Sequence, residues 1–139
     1  MATMEAATGG LVASAMADAT LYADHYLGGL VAPSARQLAC WGVPPDLIQR
    51  HGEISDQTAA AMASAARAQF GADVGLAIVL VAGPEPQERQ RPGSLHVAVD
   101  DRGRSIVEST VGFGTVRSQI KGRAAMAALD HLRRYLQGA

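Results

Sequence analysis

The sequence predicts an α/β fold: a three-layer α/β/α sandwich on a mixed sheet. Three observations carry this expectation. The first half alternates short apolar segments with helical stretches, the pattern of strands joined by crossover helices. Residues 73–81 form a near-continuous apolar run, as a central strand covered on both faces requires. A period-2 hairpin and a long amphipathic helix complete the chain, and a hairpin adds antiparallel strands to a sheet that crossovers make parallel. The 139 residues fit a single domain, 1–139, with no internal repeat.

In chain order, residues 4–10 read as the end of an extended segment, a glycine turn and a helix start. Leu11, Val12, Ala15 and Met16 share one face of a helix ending between residues 16 and 19. Residues 21–27 lead to Gly28-Gly29, read as a turn before a short strand that Pro33 ends or confines to an edge. Ser34 suits the N-cap of a helix from residue 35 to 41, closed by Gly42. Pro44-Pro45-Asp46 opens a helical turn through Gln49. Ser55 caps the next helix, in which Ala59, Met62, Ala63, Ala66 and Phe70 form a stripe that Gly71 stops. After the central strand, residues 85–93 read as a mobile, solvated loop. Leu95, Val97 and Val99 alternate with Ser94, His96 and Ala98, so His96 faces away from the valines, solvated or hydrogen-bonded. Asp101-Arg102-Gly103 makes a hairpin turn, residues 105–111 a second strand, and Gly112-Phe113-Gly114 breaks it. The last helix runs over residues 116–136 with Ile120, Ala124, Ala127, Ala128, Leu132 and Tyr135 inward.

Composition excludes several function classes. A net charge of -1 gives no basic surface for nucleic acid or for an anionic membrane. The four histidines lack metal-site spacing, and no metal or other cofactor is expected. The single Cys40 excludes an internal disulfide and fits a reducing compartment. No apolar run approaches the roughly 20 residues that span a bilayer, and no secretory leader pattern is present. A soluble, cytoplasmic protein is expected. The chemically suggestive stretch is Thr8-Gly9-Gly10. The first turn of a helix has N–H groups without internal partners and partial positive charge, so this turn is a candidate site for an anion or a carbonyl oxygen.

Several motifs, in order, resemble the C-terminal domain of the CinA (competence-damage-inducible) family. They are Glu5-x-x-Thr8-Gly9-Gly10, Gly28-Gly29-Leu30-Val31, Gly42-Val43, His51-Gly52-x-Ile54-Ser55, Ala61-Met62-Ala63, Gly71 to Ala77, Ala82-Gly83-Pro84 and Pro92-Gly93-Ser94. The match runs from Glu5 to the final helix. The resemblance implies an α/β/α sandwich, a homo-oligomer, and metal-free hydrolysis of nicotinamide mononucleotide to nicotinic acid mononucleotide and ammonia. Against that family's pattern the domain is expected to open without the preceding helix and most of the first strand, an element that another chain would supply if the protein serves as a partner subunit.

The family's turn reads E-S-C-T-G-G, with its serine as nucleophile; here that position is Ala6, which has no lone pair with which to attack. The family's Y-S-N-E-A-K block supplies a tyrosine and a lysine. Here the lysine position falls on Gln37, or on Leu38 in the register shifted by one, and the tyrosine position on Ala32 or Pro33. The glycine-rich loop after A-G-P is replaced by residues 85–91. Losing cooperating catalytic groups lowers rates by ~10^4 to 10^6-fold. Thr8 is the nearest remaining hydroxyl. Cys40 is a stronger nucleophile but has no evident base, Ser34 reads as a cap, and Arg36 cannot act as a base. The expectation is a catalytically degenerate homologue, a binding or assembly module with no catalytic residues. Its ligand-binding candidates are Thr8, Gly9, Gly10, Ala82, Gly83, Arg117 and Arg123, and a pyridine mononucleotide is the candidate ligand. The alternative is an active nicotinamide-nucleotide amidase with a substituted nucleophile.

Overall fold

The computed structural model describes residues 1–19, 24–112, 114 and 116–138. Ten elements follow one another: β1 (Ala2–Glu5), α1 (Leu11–Asp18), β2 (Gly28–Val31), α2 (Ala35–Cys40), α3 (Pro45–His51), α4 (Asp56–Phe70), β3 (Val74–Leu80), β4 (Leu95–Asp101), β5 (Arg104–Thr110) and α5 (Arg117–Leu136). The sheet order is β2-β1-β3-β4-β5. β1 runs parallel to both β2 and β3, and the β4–β5 hairpin is antiparallel, so the sheet is mixed.

Strand alternation sends successive side chains to opposite faces and creates two cores. Met4, Ala77 and Val79 meet Ala59, Met62, Ala63 and Ala66 of α4, with Leu38 of α2 and Ile48 of α3 in the same layer. Leu76, Ile78, Leu80, Val97 and Val99 meet Val12 of α1 and Ile120, Ala124, Ala128 and Leu132 of α5. The three layers are those the sequence predicts. Ser34 and Ser55 cap α2 and α4 by accepting from Gln37 N and Thr58 N, and Gly71 closes α4 in the left-handed conformation. The hairpin turn places Arg102 and Gly103 at positive φ, 52° and 88°, the geometry that tight hairpins favour.

Three expectations are corrected. Gly28 and Gly29 lie inside β2 rather than in a turn before it. A β-carbon on Gly29 would sit 2.5 Å from Thr3 Oγ1 and from the Tyr26 hydroxyl, and one on Gly28 would strike the Phe70 ring, so these glycines permit close packing. The turn at Pro44-Pro45 opens a helix that continues to His51, past Gln49. The loop after β3 is exposed, yet its polar groups are not merely solvated. The Glu88 carboxylate accepts from Glu53 N (2.8 Å) and Ile54 N (2.9 Å), and Gln90 Nε2 donates to Ile54 O (2.6 Å), which fastens the loop to the turn before α4. Ahead of the glycine turn, where the sequence leaves little room for a strand, β1 is four residues long and paired on both sides. Residues 21–23 and Phe113 lie outside the described residues. No helix among the described residues is long and apolar enough to cross a membrane.

The connections also place a crevice. From β1 the chain crosses to β2 on one side, then returns through α2, α3 and α4 to β3 on the other. The order reverses between β1 and β3, and ligands in open α/β sheets bind beyond the carboxyl ends of strands at such a reversal.

Candidate functional site

The turn from β1 into α1 stands at this crevice. Pairing continues one residue past β1, with Ala6 N donating to Ile78 O at 3.0 Å. The backbone then reverses through left-handed conformations at Ala7 (φ 75°), Gly9 (69°) and Gly10 (102°). Only glycine enters that region without strain, so Ala7 is held there by its surroundings.

The reversal folds Glu5 beneath the first turn of α1. Glu5 is fully buried. Its Oε1 accepts from Thr8 Oγ1 (2.7 Å) and Val12 N (2.8 Å), and its Oε2 from Ala13 N (3.0 Å). Gly10, at the N-cap, has no side chain to do this. The carboxylate thus occupies part of the positive helix end from inside, and both oxygens are satisfied without a metal or a cationic side chain. Thr8 is 1% exposed and its hydroxyl proton is given to Glu5, so that side chain does not face the crevice as a free group. The N–H groups of Gly9, Gly10 and Leu11 find no acceptor among the described residues. Gly9 and Leu11 are exposed.

Helix α5 brings cations to the same place. Arg117, in its first turn, donates from Nη1 to Gly83 O at 2.7 Å. Lys121, one turn on, sets its ammonium beside the glycine turn: a β-carbon on Gly9 would lie 3.7 Å from Lys121 Nζ. Backbone N–H groups without acceptors and an ammonium beside them are the elements from which an anion site is built. Ala82 is buried in the core against α5, so only its backbone is near. Gly83 packs so closely that a β-carbon would meet Pro92 at 3.0 Å. The Arg123 guanidinium lies beside Gly114. The Ala6 methyl packs against the α4-side core, Leu38 is fully buried within it, and Gln37 is half-buried. Cys40 is exposed on α2.

Sequence reasoning missed Glu5 as the cap and Lys121 as the crevice cation. Lys121 carried a signal, being the chain's only lysine and four residues after Arg117, hence on the same helix face.

Two other features involve none of these residues. Asp56, His96, Ser109 and Gln90 form a polar cluster in which Nδ1 of His96 lies 2.7 Å from Asp56 Oδ1 and 3.1 Å from Ser109 Oγ, while Nε2 meets Gln90 Oε1 at 2.9 Å. A nucleophile relay needs the hydroxyl on the nitrogen opposite the carboxylate, so this is a fastening rather than a triad. Hydrogen bonds from Ser109 and then His96 hold the Asp56 carboxyl below its ordinary range. A cavity of about 720 Å³, lined by Met16, Leu27, Val74, Leu129, Leu132 and Leu136 among others, opens at the amino ends of the parallel strands, away from the crevice. No group of three or more potential metal ligands occurs among the described residues.

The family model for the CinA C-terminal domain matches residues 1–136. A CinA-like protein of Frankia casuarinae is 36% identical over 139 residues, covering 99% of this chain and 32% of its own length. A CinA-like protein of Prochlorococcus marinus is 38% identical over 136 residues, covering 95% of this chain and 32% of its own. The chain therefore spans about a third of the length of these curated relatives. Among solved structures, a competence-damaged protein (CinA) superfamily protein from Escherichia coli superposes with a TM-score of 0.90 at 27% identity, covering 96% of this chain and 78% of that one. The competence damage-inducible protein A from Klebsiella pneumoniae gives 0.92 at 27% identity, covering 98% and 85%. With this match in sequence, strand order and layers, the chain belongs to the CinA C-terminal domain family.

Proposed function

We propose that this chain is a binding module that recognises a pyridine mononucleotide through its phosphate and does not hydrolyse the amide. One observation carries the reading. The hydroxyl nearest the family's nucleophile position, that of Thr8, is buried and donates to the Glu5 carboxylate, while the position itself presents the methyl of Ala6. Attack on an amide needs a lone pair directed at the carbonyl carbon and a base to take its proton. Thr8 would have to abandon Glu5 and leave the core to supply either.

What favours binding is the donor set. The N–H groups of Gly9, Gly10 and Leu11 have no acceptor among the described residues, the Lys121 ammonium lies beside Gly9, and Arg117, held on Gly83 O, precedes Lys121 by one turn of α5; phosphate is the anion whose oxygens accept several such donors together.

The test has two readouts. Ammonia release from nicotinamide mononucleotide is measured on the purified protein and on the Ala6→Ser/Gln37→Lys variant. Calorimetry is run with nicotinamide mononucleotide and with nicotinic acid mononucleotide. The expected result is no ammonia from the native protein and saturable heat that Lys121→Ala weakens about tenfold or more, as for a lost charged contact. Sustained wild-type turnover abolished by Thr8→Ala would replace this reading with that of an amidase using a substituted nucleophile.

A further inference from the structure

At the end of the sheet opposite the crevice, we propose that the 720 Å³ cavity binds a small organic cation: an apolar body bearing an ammonium group. None of the residues that line it belongs to the crevice. Pockets for such ligands run from ~300 to ~1,000 Å³, so this hollow has room for one small molecule. Its wall is apolar. Leu129, Leu132 and Leu136 recur at intervals of three and four along α5 and share one face of that helix, and Met16 of α1, Val74 of β3 and Leu27 ahead of β2 complete the lining. Leu27 and Leu136 remain 50% and 62% exposed. Large apolar side chains left uncovered around one hollow, rather than scattered singly, mark a ligand site.

Charge selects the occupant. Asp24 and Asp73 line the cavity, and neither carboxylate has an ion pair or a side-chain hydrogen bond among the described residues. Two cationic groups border it, and both are engaged. Arg133 binds Asp130 Oδ1 through Nε (3.0 Å) and Nη2 (2.7 Å) and Gln137 Oε1 through Nη1 (2.5 Å), while the Met1 amino group donates to His25 O. Helix direction adds to the same sign. Ala19, Gly71 and Gln137, the carboxyl-end caps of α1, α4 and α5, all lie in the lining. A helix carboxyl end carries partial negative charge on carbonyls without internal partners, so three such ends and two free carboxylates favour a cation. The fold thus divides charge between its two ends: α1 and α5 begin at the crevice and finish at this cavity. An apolar body covers the leucines and an ammonium answers the carboxylates. An anion of the same shape meets like charge there, which opposes association.

Calorimetry on the whole chain tests this with three probes of one shape: phenylbutylamine, phenylbutanol and phenylbutyrate. At pH ~8 an alkylamine is charged and His25, which also lines the cavity, is in the range where histidine is ordinarily neutral. Inorganic phosphate is present throughout and competes with the acid for the crevice donors. The amine is expected to bind at least about tenfold tighter than the acid, with the alcohol between them. Asp24→Asn/Asp73→Asn is expected to bring all three within about threefold of one another, because helix ends carry less than a full charge. Both side chains are exposed and unpaired, so circular dichroism is expected to show that variant folded. Ala15→Phe, which fills the cavity from α1, is expected to weaken every probe at least about tenfold. The double Asn variant remains decisive even if Ala15→Phe unfolds. No amine binding at about millimolar concentration, equal affinity for amine and acid, a preference that survives the double Asn variant, or full binding by a folded Ala15→Phe would each overturn the proposal.

Discussion

At the scale of single residues, the crevice depends on a buried anion. Glu5 sits where water cannot reach it and is held by three donors, two of them N–H groups of α1. Glu5→Gln keeps the shape but turns an acceptor into a donor facing an N–H, leaving buried groups unsatisfied. It should cost about 2–3 kcal/mol of unfolding free energy, the range for a hydrogen bond to a charged group, read from the shift of a urea midpoint. No loss would mean that the carboxylate does not cap α1. Its neighbour Ala7 bears the opposite sign. At φ 75° an L-residue is strained by about 1–2 kcal/mol, and glycine there gives back about 0.4–1 kcal/mol through a freer unfolded chain. Ala7→Gly is therefore expected to stabilise modestly, by under about 1 kcal/mol, and a destabilised variant would count against the strain.

At the scale of elements, α4 lies on β3 with almost nothing between the backbones. A β-carbon on Gly75 would fall 2.0 Å from Ala63 O, and Gly75 is not at positive φ, so the obstacle is packing alone. Gly75→Ala should force helix and strand apart and cost about 3 kcal/mol, at the upper end for overpacking, measured by chemical denaturation. The Asp56–His96–Ser109 cluster ties the start of α4 to β4 and β5. Its depressed Asp56 carboxyl gives stability that is complete above the unfolded value near pH ~4 and is lost as pH falls through the lower folded value. Asp56→Asn should flatten that acid limb, and an unchanged slope below pH ~4 would show that the cluster carries no linkage. Which elements are legible in the sequence follows from the range of the forces that set them. α4, α5, β3 and the β4–β5 hairpin declare themselves because burial imposes periodicity on residues close in sequence. β1 is hidden because it is short and its buried faces include Thr3 and Glu5, polar groups whose partners come from Tyr26 and α1. Gly28-Gly29 reads locally as a turn, whereas Phe70 and Tyr26 decide its role from elsewhere in the chain. The same division holds in the crevice: the turn at Thr8-Gly9-Gly10 is written locally, while the arrival of Lys121 beside it depends on how α5 packs.

At the scale of the whole molecule, the crevice joins segments from both ends of the chain, since Gly9 follows β1 and Lys121 belongs to the last helix. A phosphate bound between them would be available only in the folded state, so binding must add to global stability by mass action. At a hundred times Kd the gain is about 2.7 kcal/mol, and for a domain of this size about 2–4 °C accompanies each kcal/mol, so nicotinamide mononucleotide should raise Tm on the order of 5–10 °C. Three controls locate the effect. Lys121→Ala should leave the unliganded Tm nearly unchanged, as surface substitutions shift stability by about 0.5 kcal/mol or less, yet remove most of the ligand's increment. The corresponding riboside, which lacks the phosphate, should give little. Raising the salt should shrink the shift, because Gly9 and Leu11 are exposed and charges in such an opening are screened over about 8 Å at physiological ionic strength. Equal stabilisation by nucleotide and riboside would move recognition from the anion to the ring. A full shift in Lys121→Ala would place the ligand elsewhere, with the 720 Å³ cavity at the far end of the sheet the next position to probe.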